Sequence, residues 1–453
     1  MEILVPAAQV PVLAEADVVV CGGGCSGIAA AVAAARHGAS VILLERWASV
    51  GGMATNALVN GWHRSDREKM VIYGLVEEST QRALKHDWIV QDPGYPHVHE
   101  THWFDPEGMR IVWHVMLDEA RVRTFCHLAA GEPVLEGNTL TAVLCDTKRG
   151  RRAIRGKVFI DATGDGDLAA KAGCPFSFGR ESDGCVQGCT LIFALRGLDR
   201  PAADAAGPQA QQHVLDLMRQ HRDAGQFPPF NERNTLHYLR HANNHTLWNY
   251  LPVAGNPLDE EELTGMTVRA RQSLVAYLDL WRQEMPGFHQ ANIDRTGYSL
   301  GIRESRRVHG KTTLTAAMVL AATKQPDAVG HGVWMIDIHD PKGSGYTTYF
   351  DQTGNNMVPQ GQSYHIPLSM ALNDTVPNLA VVGRCASSTH EAHSSFRVQT
   401  HCMALAQGAG TAAALALAAD LPLAGVDIPA LQNALRADGV YLQDVPPVPK
   451  SSP

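Results

Sequence analysis

DVVVCGGGCSGIAAAVAAARHGASVILLE, residues 17–45, decides the fold. Asp17 to Cys21 is a short apolar run, the pattern of a strand buried in a parallel sheet. Gly22, Gly24 and Gly27 then fill the three glycines of G-x-G-x-x-G, with Gly23, Cys25 and Ser26 between them. An Ala-rich helical stretch, Ile28 to Ala35, ends in Arg36, His37 and Gly38: two basic groups in a last turn, then a C-terminal glycine. A second apolar strand, Ser40 to Leu44, ends at Glu45. Each part has a physical job. Gly22 permits the tight turn, Gly24 lets backbone approach a pyrophosphate, and Gly27 lets helix and strand pack closely. The helix start offers unpaired N–H groups and partial positive charge to phosphates. Glu45 at the second strand tip is placed to accept from ribose hydroxyls. Strand, turn, helix, strand and acid in this order predict a dinucleotide site, whereas the glycines alone would be weak evidence.

Three later segments extend the pattern. Glu45 is followed by RWASVGGMAT, in which Gly51, Gly52, Met53 and Ala54 make a pliable approach to a flat ring system. KVFIDATGDG, residues 157–166, is an apolar strand running into a small-residue turn. NLAVVGR, residues 378–384, is another strand ending at glycine, and a polar loop leads from it into a long Ala/Gly helix from about Val398.

With GIRESRRVHG, YHIPLSMAL and the block from Asn378 to Ala416, these segments resemble the bacterial FAD-dependent oxidoreductase family of the glutathione-reductase-type flavoproteins. The resemblance spans most of the chain and implies FAD lying extended across the fold. It implies the ADP part near Gly22, Gly23, Gly24, Cys25, Ser26, Gly27, Glu45 and Arg46, and Ala162, Thr163, Gly164 and Asp165 beside the nucleotide. Gly383 and Arg384 would lie by the ribityl and phosphate portion. Ser395, Arg397, Val398 and Gln399, at the start of the last helix, would lie by the isoalloxazine. Relatives commonly carry Asp after the glycine of this last strand; Arg384 and Cys385 stand here instead. Small residues at Ala404, Gly408 and Ala412 share one helical face and allow close backbone packing.

Four residues are catalytic candidates. The loop STHEAHSSFR holds His393, the first choice, and His390, either of which could take a proton as hydride leaves a substrate; the competing reading is that the loop caps the helix. Arg303 could fork a substrate carboxylate or ketone, or belong to a structural ion-pair network with Glu304. His63 follows the GGMAT loop with Asn60 and Trp62 and could line the flavin face, Trp62 being equally suited to a core anchor. His97, His99 and His102 have ligand-like spacing, but among 21 histidines such groups arise easily, so no metal is expected there. Cys185 and Cys189 are spaced one residue too far for a C-x-x-C redox pair, and buried thiols are the expectation.

Bulk properties narrow the partners. A net charge of -8 disfavours nucleic acid, and the short basic run Lys148 to Arg152 reads as a solvated hairpin turn. Acids in the opening residues do not suit a secretory leader, and the Ala-rich stretch from Met403 is too weakly apolar for a membrane span. Nine cysteines without a dense framework fit a reducing cytoplasm. The expected fold class is α/β: a Rossmann-like FAD-binding domain, discontinuous in sequence (1–62, 110–190 and 375–440), with an α+β substrate-covering domain (63–109 and 191–374) and a tail (441–453). Within the cover, residues 199–298 show helical stretches and no strand signal. The expected function is dehydrogenation or oxidation of a small organic substrate by hydride transfer to flavin N5. Oxygen, a quinone or a redox protein would be the electron acceptor, since a second G-x-G-x-x-G for NAD(P)H is not seen. A flavin monooxygenase is the alternative, and a non-catalytic flavin-binding protein the second.

Overall fold

The computed structural model describes residues 3, 7–92, 101–230, 239–240, 246–342 and 354–445. Its centre is a seven-stranded sheet in the order Arg123–Phe125, Val41–Leu44, Val12–Cys21, Gly150–Asp161, Thr139–Thr147, Pro133–Glu136, with Leu379–Val381 also pairing Gly150–Asp161. The strands that end at the nucleotide turn run parallel: Val12–Cys21 pairs Val41–Leu44 on one side and Gly150–Asp161 on the other. The long strand Gly150–Asp161 has two partners in succession. Its first half forms an antiparallel hairpin with Thr139–Thr147, through the basic turn read from the sequence. Its second half pairs in parallel with Leu379–Val381, register Leu379 to Phe159. Sequence-distant strands therefore end side by side, at the C-terminal edge of the sheet.

The helix Cys25–Arg36 lies on this sheet with Ala29 to Ala34 almost wholly buried. The helix Gln399–Ala418 packs on it through Gly410, where a Cβ would sit 2.2 Å from the Ala30 carbonyl oxygen. The face expected to be small serves a different neighbour. Gly408 lies against Val329, and Ala404 against Gly330. By length and hydropathy this helix passes for a membrane span, yet 78% of its apolar window is buried inside the protein, as a core helix is.

A second hydrophobic cluster forms around an antiparallel sheet in the order Leu239–Arg240, Thr246–Val253, Cys189–Arg196, Asn292–Thr296. The helix Glu260–Glu284 covers it, and Trp281 packs 5.0 Å from Trp248 and 5.9 Å from Phe288, ring centre to ring centre. Such aromatic pairs contribute about 0.5–1.5 kcal/mol each beyond area burial. The helices expected within 199–298 are present, as Gly207–Asp223 and Glu260–Glu284. The absence of strands there is corrected: Thr246–Val253 and Asn292–Thr296 are strands. Leu247, Trp248 and Leu251 are all buried, so that strand shows no polar alternation by which to recognise it. His97 and His99 lie outside the described residues, as do residues 343–353 of the expected turn-rich stretch; His102 is a buried residue of the strand Thr101–Phe104.

Candidate functional site

Backbone, rather than side chains, builds the turn after Val12–Cys21. Gly22 has φ +109°, and a Cβ there would lie 2.3 Å from the Ala162 carbonyl oxygen. A Cβ on Gly27 would lie 1.8 Å from the Gly22 oxygen. The fold itself demands both glycines. Gly24 is different: the nearest atom to its Cβ position is Gly52 Cα at 3.9 Å, an ordinary contact. No side chain caps the helix that starts at Cys25. Its first N–H groups thus face a bare turn, which is the geometry and charge a diphosphate needs. The loop from Gly51 is fastened to this turn by Gly51 N–H donating to Gly23 O at 2.7 Å. Within it Met53 keeps some surface while Ala54 is core.

Glu45, 3% exposed, accepts from Gly23 N–H at 2.8 Å and Trp47 N–H at 2.7 Å. Burial raises its pKa and these N–H donors oppose the shift. Arg46 stacks over the Trp47 ring at 5.5 Å. On the far side, Ala162 N–H donates to Cys21 O at 2.8 Å, and Thr163 turns back onto buried Asp161 through its N–H and hydroxyl. Gly383, at φ +83°, brings the last strand end to Ser26: a Cβ would lie 3.0 Å from the Ser26 hydroxyl oxygen. Residues 22–27, 162–165 and 383–384 therefore meet. Bare glycine backbone, an uncapped helix start and a buried carboxylate at the second strand tip together fit the ADP portion of FAD.

The Arg384 side chain, expected beside the ribityl and phosphate portion, is engaged by protein groups. Its guanidinium donates to Asp165 Oδ1 at 2.6 Å and to the Ser305 hydroxyl at 2.9 Å. Burial pushes the Asp165 carboxyl up, but Arg384 and Ser305 more than reverse this and hold it below its usual value. Both residues are committed to a buried ion pair beside Gly164.

The loop before the long helix is itself a short helix, His390–Phe396, capped by the Thr389 hydroxyl. His393 is fully buried. Its Nε2 bonds the Arg384 carbonyl at 3.0 Å and its Nδ1 lies 3.4 Å from Gln187 Nε2. Burial first, then Arg307 and Arg397, drive its pKa well below the usual value. A ring with both nitrogens engaged and no exposed surface has no position from which to meet a substrate, so the expectation that placed it first is corrected to a structural role. His390 likewise joins a closed network: its Nδ1 bonds Glu304 Oε1 at 2.9 Å, and Glu304 also holds Arg307 and Gln187 N–H. Glu304→Ala leaves the Arg307 charge buried without its partner and is expected to cost about 3–5 kcal/mol of stability; denaturant melts of the two proteins would check this. Ser395 donates to Trp334 O at 2.5 Å and meets Tyr364 OH, while Gln399 binds Trp62 Nε1 and Val59 O. Their side chains, like that of fully buried Trp62, are part of the core. Val398 caps the long helix with extended backbone and no side-chain bond.

The other candidates converge. Arg397 Nη2 donates to Asp337 O at 3.1 Å, and Asp337 Oδ2 lies 3.3 Å from His339 Nε2. Arg303, bonded to Gly188 O at 2.7 Å, is near enough to shift both Asp337 and His339. His63 stacks on Trp334 at 3.7 Å and feels the Asp337 charge. Burial pushes Asp337 up, but His339 and Arg397 hold it well below the usual carboxylate range. Burial, then Arg303, lowers His339 to about 3, and burial lowers His63 to about 3. Two guanidiniums, one ionised acid and two neutral imidazoles thus gather just before the long helix. The sequence reading singled out neither Asp337 nor His339. The signal was there: they alternate with buried Ile336 and Ile338, as two polar residues on one side of extended chain do.

These buried rings set an acid limit on stability. Each of His63, His339 and His401 has a folded pKa of about 3 against 6.5. Between these values the unfolded chain binds the proton and the folded chain does not. Their contribution is complete above pH 6.5 and falls as pH drops toward 3, by about 1.4 kcal/mol per pH unit for each ring. Urea midpoints measured from pH 7 to pH 4 are expected to decline steadily; a flat profile contradicts the neutral, buried state of the three rings.

Comparison with known proteins points to FAD as the cofactor. Residues 17–435 match the sequence profile of the family described as FAD dependent oxidoreductase. Among solved structures, OxyS anhydrotetracycline hydroxylase from Streptomyces rimosus is 12% identical, with 93% of this chain and 65% of that chain covered and a TM-score of 0.46; the chain thus spans less than two thirds of the hydroxylase. The flavin-dependent brominase Bmp2 is 11% identical, with 93% and 83% covered and a TM-score of 0.47. A geranylgeranyl bacteriochlorophyll reductase-like protein from Thermoplasma acidophilum is 13% identical, with 93% and 82% covered and a TM-score of 0.45. With its profile matched over nearly the whole length and a nucleotide turn shaped for a dinucleotide, the chain belongs to the FAD dependent oxidoreductase family and takes FAD as its cofactor.

Proposed function

We propose that this chain dehydrogenates or oxidises a small organic substrate bound against Arg303, Arg397, Asp337, His339 and His63, with Gly22–Gly27, Glu45, Ala162–Gly164 and Gly383 holding the cofactor. FAD, when bound, supplies the two-electron acceptor. The observation that carries the reading is the gathering of these five side chains immediately before the long helix. Arg303 and Arg397 are suited to orient an oxygen-bearing substrate by forked hydrogen bonds. His339, neutral at pH 7 and held by Asp337, is suited to take the substrate O–H or N–H proton, and the Asp337 charge stabilises the imidazolium that results. Burial of His339 and partial burial of the other four limit water at the reacting carbon. The division into a discontinuous cofactor domain and a cover built around Cys189–Arg196 and Thr246–Val253 suits a substrate enclosed between them.

The test is anaerobic. The purified yellow protein is mixed with panels of alcohols, amines, sugars and hydroxy acids, and flavin bleaching is followed. Bleaching by one class, reversed by air or by a quinone, is the expected result. Bleaching by NAD(P)H alone, with oxygen inserted into an added substrate, would replace this reading by a monooxygenase. No bleaching by any compound would leave a flavin-binding protein without catalysis.

A further inference from the structure

His331, His365 and Asp444 form a cluster apart from the residues described so far. The strands Ala328–Gly332 and Tyr364–Pro367 pair with His331 opposite His365, so both rings leave the same two-stranded sheet. They meet edge to face at 4.9 Å and are buried to 1% and 0% exposure. Asp444, beyond the helix Ile428–Ala437, reaches them from the rim. Its Oδ1 is 3.2 Å from His365 Nε2 and 3.5 Å from His331 Nε2. Bonds of about 2.0–2.1 Å at tetrahedral angles set donor atoms about 3.3 Å apart; the three donors here already lie within 4.8 Å of one another, and the side chains draw together to close on an ion.

The surroundings favour a ligand over a mere packing contact. His331 Nδ1 lies 2.8 Å from the Ser363 hydroxyl, which directs the other ring nitrogen into the cluster. That nitrogen, Nε2, is buried, makes no well-aligned hydrogen bond among the described residues, and has Asp444 Oδ1 3.5 Å away. A buried ring nitrogen without a well-made hydrogen bond is costly and calls for a partner. His365 Nδ1 accepts from the Gln325 N–H at 3.0 Å and lies 3.3 Å from Gln325 O, so ligation through Nε2 requires the tautomer in which Nδ1 turns its proton to that carbonyl. Lys324 binds the other oxygen of Asp444 at 2.5 Å and Ser363 O at 2.8 Å, which fixes the carboxylate and leaves Oδ1 to the cluster.

We propose that His331 Nε2, His365 Nε2 and Asp444 Oδ1 bind one divalent transition-metal ion of the zinc class, with a water completing the tetrahedron. Two imidazoles and one carboxylate are a donor set for zinc and its neighbours, and not for calcium or magnesium. The ion ties the chain after Ile428–Ala437 to the sheet against which Ala404 and Gly408 of the long helix pack.

The test uses FAD-loaded protein, stripped with a chelator and dialysed against zinc. Metal content by mass spectrometry and zinc titration by calorimetry are measured on wild type, Asp444→Asn and His331→Gln. Asp444 sits at the exposed rim, so Asp444→Asn keeps the fold, and retained flavin absorbance confirms that in each protein. The expected result is about one zinc per chain in wild type, at least about tenfold weaker binding in Asp444→Asn, and none in His331→Gln. Zinc is expected to raise the melting midpoint of wild type and not of Asp444→Asn. No zinc uptake by wild type, or uptake equal in wild type and Asp444→Asn, overturns the proposal; the second outcome assigns the metal to other histidines.

Discussion

Gly24→Val is expected to give a folded, colourless protein. The turn leaves its Cβ position clear of every chain atom closer than 3.9 Å, so the polypeptide has little reason to reject a side chain there. A diphosphate resting on the turn has every reason. Overpacking a fitted contact costs about 1–3 kcal/mol, and two branched methyls against phosphate oxygens belong at or above the upper end, about 100-fold or more in affinity. Gly27→Ala is the control that separates the two effects, because its Cβ would meet the Gly22 oxygen at 1.8 Å and the fold itself must give. Flavin absorbance after gel filtration and far-ultraviolet circular dichroism read the two quantities independently. Normal flavin content in Gly24→Val would sink the assigned site.

His339→Gln is expected to keep its yellow colour and lose the rate of anaerobic flavin reduction, by about 10²–10⁴-fold, the range for removing a positioned general base. Glutamine retains a hydrogen-bonding end toward Asp337 and cannot accept the proton. Asp337→Asn should slow the same step, and the double variant should be little worse than the slower single one, since the two residues act on one proton. Rapid-mixing absorbance under argon gives the rate, and equilibrium dialysis confirms that FAD stays bound. A rate in His339→Gln within twofold of wild type would remove His339 from the chemistry and leave the basic cluster as a binding surface only.

What the sequence revealed follows from how locally each feature is encoded. The strand, glycine turn, helix and second strand of residues 17–45 lie within one contiguous stretch, and each formed there, though the first strand already starts at Val12 and the helix at Cys25. The last strand and helix were legible for the same reason. The buried strand Thr246–Val253 was not, because burial of Leu247, Trp248 and Leu251 erases the alternation on which recognition depends. The basic cluster could not be assembled beforehand, since His63, Arg303, Asp337, His339 and Arg397 come from four separated segments. His393 was favoured because its loop is dense in polar groups, and density does not say which groups face inward. Arg384 illustrates the same limit: that its charge would be spent on Asp165, far away in sequence, is a tertiary fact.

The pairing of Leu379–Val381 with Gly150–Asp161, and of Gln399–Ala418 with Cys25–Arg36, has a consequence for biosynthesis. The glycine turn at residues 22–27 leaves the ribosome long before the strand and helix that pack beside it. Until they emerge, a greasy alanine helix stands uncovered and the nascent chain has only part of its berth for the cofactor. Loading with flavin is therefore expected only once these segments have emerged, and a polypeptide cut short before residue 379 should emerge sticky and pale however much riboflavin the cell is fed.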